Sequence, residues 1–149
     1  MASRTGYVAS ALAVLTAADF EKMPKGVIAF DNGGTGSTVT ASGLDLVSES
    51  VTVGSGRLLK ILGRGQIING GTSSGGTINI YEGGTDLGRV HRHEDGATES
   101  YCSGFVVVDA PSAGSHTYKI RADTTGGTFD TFGDFTIFVE DMGPSSASW

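Results

Sequence analysis

His91-Arg92-His93-Glu94-Asp95 is the stretch of this 149-residue chain whose side chains come nearest to a metal-ligand pattern. Alternate residues of a strand share a face, so His91 and His93 would project together, with Asp95 able to add an oxygen ligand. Two imidazoles and a carboxylate fall short of a closed ligand set, and no second ligand group stands near them. The run reads instead as a solvated strand end, or as a polar cluster at a subunit interface. Histidine titrates at about 6.5, so such a cluster would respond to pH. No metal ligand is assigned.

Other chemistries find less support. Ser115 and His116 are adjacent, so on a strand they point to opposite faces and cannot pair as nucleophile and base. Cys102 lies between Tyr101 and Ser103 with no cation beside it to lower its pKa, and reads as a small core residue. Gly33-Gly34-Thr35-Gly36 and Gly54-Ser55-Gly56-Arg57 lack the Gly-Lys-Ser/Thr ending and the following helix of a phosphate loop. The second reads as a hairpin loop. The carboxylates Asp19, Asp45, Glu49, Glu82, Asp86 and Glu99 are scattered, and with a single Trp there is little aromatic platform for a sugar. A small carbohydrate-active enzyme is therefore the weakest reading. The sequence points to no enzyme, no catalytic residue and no cofactor.

Composition narrows the partners. The net charge is −6 and Lys and Arg are not clustered, which disfavours nucleic acid and anionic membranes. The longest apolar stretch falls far short of the ~20 residues that span a bilayer. Tyr7–Val14 is too weakly apolar for a signal peptide. With Cys102 the lone cysteine, no intrachain disulfide can form, which fits synthesis in a reducing cytoplasm.

The elements that would position these residues are strands. Twenty-four glycines punctuate β-branched and aromatic runs, the pattern of turns between short strands. Candidate strands are Val27–Asp31, Leu44–Val53, Arg57–Asn69, Thr77–Glu82, Leu87–Glu94, Thr98–Asp109, Ser115–Asp123 and Gly133–Asp141. Eight antiparallel strands in one all-β domain suit a jelly-roll sandwich. In Ser115–Ala122 the residues His116, Tyr118, Ile120 and Ala122 alternate with Ser115, Thr117, Lys119 and Arg121, one face core and one wet. Phe105–Val108 and Thr136–Val139 are apolar on both faces, so both faces need cover: the second sheet on one side, a neighbouring subunit on the other. Residues 1–25 form an N-terminal arm with one short helix, Leu15–Met23, capped at Thr16 and stopped by Pro24. The sandwich is expected over 26–142 and a C-terminal tail over 143–149, with Trp149 a candidate anchor on a partner.

Three stretches carry a family resemblance. Val14-Leu15-Thr16-Ala17-Ala18-Asp19-Phe20 resembles a leader that precedes the β-domains of tailed-phage virion proteins. Ala110-Pro111-Ser112-Ala113-Gly114-Ser115-His116-Thr117-Tyr118-Lys119 is similar to a hairpin of small phage structural proteins. Phe138-Val139-Glu140-Asp141-Met142-Gly143-Pro144 is similar to their ending. The resemblance implies a TNF-like jelly roll, usually trimeric, on a phage particle, and implies no catalytic residues. The expected role is a capsid decoration (cement) protein: a homotrimer made in the host cytoplasm, bound to the major capsid protein on the virion exterior. The alternative is a tail-associated or fibre-head domain that binds a host receptor or glycan.

Overall fold

The computed structural model describes residues 23–33, 37–40, 43–68, 76–93, 99–124 and 128–146. Nine strands run through them: β1 (Gly26–Asp31), β2 (Ser37–Val39), β3 (Leu44–Val53), β4 (Arg57–Ile68), β5 (Gly76–Glu82), β6 (Thr85–His93), β7 (Glu99–Asp109), β8 (Gly114–Thr124) and β9 (Phe129–Pro144). One sheet has the order β1-β9-β4-β7, with β2 pairing on β9 beyond that path. The other has the order β3-β8-β5-β6. The strand pairings of both sheets are antiparallel.

Alternation decides which side chains fill the space between the sheets. Leu59, Ile61, Phe135, Ile137 and Val139 face inward from the first sheet and meet Val51, Val53, Ile78, Ile80, Tyr118, Ile120 and Ala122 of the second. The Val, Leu, Ile and Phe side chains among them contribute about 1.5–3 kcal/mol each when fully buried. On β8 the expected split holds: Tyr118, Ile120 and Ala122 are buried, and Ser115 is exposed. The Tyr118 hydroxyl crosses the core and donates to Asp109 of β7 at 2.7 Å, which satisfies the buried phenol. Burial first, then that carboxylate, pushes the phenol far above its ordinary pKa.

Several expectations are corrected. The short strand β2 adds a ninth to the eight expected; its few residues lie beside a glycine-rich loop that hides any periodicity. No helix occurs among the described residues. Most of the expected helix, Leu15–Lys22, lies outside them, as do the arm before it, Glu94, Asp95 and Trp149. Met23, its expected last residue, lies in a bend, because a residue before proline is disfavoured in the α region. β9 begins at Phe129 and continues through Pro144, into the stretch expected as a tail. Pro144 sits opposite Arg57 at the strand end; there the chain returns to the β3–β4 turn, where the Ser145 amide donates to Gly56 O.

The loops differ most. Gly54–Gly56 and Ala110–Ala113 are not hairpin turns. β3 and β4 belong to different sheets, and so do β7 and β8. Both loops carry the chain across the sandwich. Among the described residues the paired neighbours in sequence are β5 and β6, joined at Gly83–Gly84; Gly83 has φ 56°, a left-handed conformation that glycine adopts freely.

Candidate functional site: the uncovered face of the first sheet

The outer faces of the two sheets have opposite character. On the second sheet Asp45 of β3 accepts from Lys119 Nζ at 2.8 Å and Arg121 Nε at 2.7 Å, both on β8. The Arg121 guanidinium lies 4.8 Å from the ring centre of Tyr81 on β5. Ser50 and Thr117 hydroxyls pair at 2.8 Å, and the Asn79 amide donates to Asp86 at 2.7 Å. Burial raises the Asp45 pKa, but the hydrogen bonds from Arg121 and Lys119 outweigh it and hold the group below its usual value. This face is a lattice of paired polar side chains.

The first sheet is different. Phe30, Phe138 and Leu62 stand opposite one another on β1, β9 and β4, and Val106 of β7 continues the row by register. The Phe30 and Phe138 rings pack with centroids 4.9 Å apart. The next outward row is Val27, Glu140, Lys60 and Val108, with Lys60 and Glu140 ion-paired at 2.5 Å. Val27, Phe30 and Val108 remain 58%, 51% and 54% exposed. Large apolar side chains left half open on one sheet face make it a candidate interaction surface. The cause is legible in the sequence: β9 and β7 carry apolar residues at both alternating phases, and only one phase can face the core. Polar residues close the far edge, where Arg64 Nε donates to Thr136 Oγ1 at 3.3 Å and Thr136 Oγ1 to Asn32 at 2.9 Å.

One end of this sheet is fixed by charge. Arg57 Nε lies 3.0 and 3.1 Å from the two Asp141 carboxylate oxygens, and its Nη2 lies 2.5 Å from one of them. Both residues are buried. The same Nη2 donates to the Met23 carbonyl at 2.7 Å, and the Gly143 amide donates to Asp141 at 2.8 Å. The guanidinium thereby anchors the chain where it enters β1.

A cavity of about 250 Å³ opens between the edge strands β1 and β3, walled by Ile28, Ala29, Val51 and Val53 with Lys25, Glu49 and Thr52 at its polar margin. It gathers no nucleophile–base pair among its lining residues.

The residues singled out from sequence disperse. His91 is half-buried opposite Ile78, and His93 lies opposite Gly76. Among the described residues no group of three or more His, Cys, Asp or Glu is placed to hold a metal. Cys102 lies opposite Gly65 in the β4–β7 ladder. Asp45, Glu82 and Asp86 are each engaged structurally, with Lys119 and Arg121, with His116, and with Asn79. Sequence reasoning passed over the partners of His116, whose Nδ1 is 3.0 Å from Glu82 and whose Nε2 is 2.8 Å from the Ser112 carbonyl. The available signal was a polar residue at an inward position of β8, which needs a partner.

No protein-family model matches this chain, and no curated protein matches it. Among solved structures it is similar to a chain of infectious bursal disease virus, Gt strain, with a TM-score of 0.53 and 14% identity over 83% of this chain and 34% of that one. It is similar also to a chain of the Gx strain of that virus, with a TM-score of 0.51 and 16% identity over 85% of this chain and 35% of that one. The chain thus spans about a third of the length of these neighbours, and what it shares with them is the fold.

Proposed function

We propose that this chain is a non-enzymatic virion structural protein: a jelly roll that assembles as a homotrimer and binds the outer surface of a phage capsid as a decoration protein. The observation that carries the reading is the outer face of the first sheet, where Val27, Phe30 and Val108 stay half exposed around Phe138, Leu62 and the Lys60–Glu140 pair. A closed ring of identical subunits covers such a face without leaving a fresh one exposed.

Two further observations support it. The order β1-β9-β4-β7 over β3-β8-β5-β6, with most connections crossing between sheets, matches the interleaving of a double-sheet jelly roll. A comparable fold occurs in the structures of infectious bursal disease virus, which supports a place in a virus particle. The resemblance of three stretches to tailed-phage proteins points to the phage type. Binding only to the assembled shell would stabilise it by mass action.

The test has two arms. Sedimentation of the purified chain should give a trimer, and Val108→Glu should reduce it to a monomer that keeps its fold. Added to capsids that lack it, the parent protein should bind in many copies and raise their melting temperature. A monomeric parent refutes the trimer. A trimer that leaves capsids unbound refutes the decoration role, and recovery in few copies on tails would replace it with the tail-associated reading.

A further inference from the structure

His116 sits near the start of β8, in register with Val51 of β3, with its side chain 12% exposed. Its Nδ1 lies 3.0 Å from Glu82 Oε1 and its Nε2 lies 2.8 Å from the Ser112 carbonyl oxygen. A carboxylate and a carbonyl only accept hydrogen bonds, so each ring nitrogen faces an acceptor. A neutral imidazole has a single N–H and satisfies one of them; the imidazolium satisfies both. The two acceptors come from separate parts of the chain. Glu82 ends β5 beside the Gly83–Gly84 turn, whereas Ser112 lies in the crossing from β7 to β8.

We propose that His116 is a proton-operated clamp, closing the Ala110–Ala113 crossing onto the end of β5 when protonated and releasing it when the ring loses its proton. The charged groups around it favour the closed form. Glu82 faces it from β5, and Asp109, at the end of β7, adds negative charge while accepting from Tyr118. Lys119 and Arg121 of its own strand are engaged by Asp45 of β3 on the opposite face. On deprotonation the carboxylate retains the remaining N–H at Nδ1. The bare Nε2 then points its lone pair at the Ser112 carbonyl, and that contact turns repulsive. The Gly83 amide donates to Thr117 O at 2.8 Å independently of the ring, so the β5–β6 turn stays in place while the crossing is freed.

The pH sense follows from the pKa. The Glu82 hydrogen bond raises it above the ordinary histidine value, against the opposing effect of burial, and the Ser112 carbonyl adds to the rise. A group with a raised folded-state pKa contributes its stability fully below the unfolded pKa and loses it as pH climbs through the folded one. The clamp therefore holds on the acid side and opens on the alkaline side, whether or not the protein sits on a capsid.

The experiment is an NMR titration of the intact chain. It follows the His116 ring together with the amides of Ala113 and Gly114, with the Gly83 amide as the internal control. The ring midpoint should lie above that of an ordinary histidine, and the Ala113 and Gly114 amides should shift at that same midpoint while Gly83 does not. Glu82→Gln should lower the midpoint. A midpoint at or below the ordinary value, or crossing amides indifferent to the ring's titration, would overturn the proposal.

Discussion

Replacing Gly65 with alanine tests a close approach of ring and backbone within the first sheet. A Cβ built on Gly65 would lie 2.1, 2.2 and 2.7 Å from Cδ1, Cε1 and Cγ of the Phe135 ring. Carbon atoms in contact prefer about 3.5–4.0 Å, so the overlap exceeds roughly 1 Å at several atoms. Phe135 is fully buried, which leaves its ring no open space to enter. Overpacking alone costs about 1–3 kcal/mol, and expelling a buried Phe about 3–5 kcal/mol. Against this, Gly→Ala gains only about 0.4–1 kcal/mol by stiffening the unfolded chain. The steric effect wins, and the net loss should be about 2–4 kcal/mol. At about 2–4 °C per kcal/mol, the melting temperature should fall by roughly 5–15 °C. Urea unfolding followed by circular dichroism reads the loss, and combining Gly65→Ala with Phe135→Leu should make the alanine cheaper than it is beside Phe. A Gly65→Ala protein within about 0.5 kcal/mol of the parent would refute the close approach of ring and backbone.

Val108→Glu places a charge on an exposed position of the apolar face, so unfolding free energy should change by no more than about 0.5 kcal/mol while self-association is lost; sedimentation and urea titration separate the two effects. Arg57→Met strands the buried Asp141 carboxylate and should cost about 3–5 kcal/mol in the same unfolding assay, and adding Asp141→Asn should recover part of it. Asp45 has a folded-state pKa below its unfolded value. Its stabilisation is therefore complete above the unfolded pKa of about 3.9 and is lost as pH falls through the lower, folded one. Melting temperatures across that acid range should fall less steeply in Asp45→Asn than in the parent. Stopped-flow refolding should be slow for a chain of this length, because most strand pairings join segments distant in sequence.

Alternation along Ser115–Ala122 marked that stretch as a strand and named its inward residues, since a period of two is a property of the local backbone. Apolar residues at both phases of Thr136–Val139 also foretold an outer face in need of cover. What could not be read was partnership. The same glycine and proline chemistry turns the chain at Gly83–Gly84, where β5 and β6 pair, and at Gly54–Gly56 and Ala110–Ala113, where it crosses to the other sheet. A turn signal says that the chain reverses and leaves open which sheet receives it. The ring of Phe135 over Gly65 and the Arg57–Asp141 pair join residues that only the pairing of β4 with β9 brings together, and the Glu82–His116 contact needs β5 beside β8. Local backbone preference is written residue by residue; the choice among distant partners depends on which pairing buries all the apolar faces at once, and that is decided only in three dimensions.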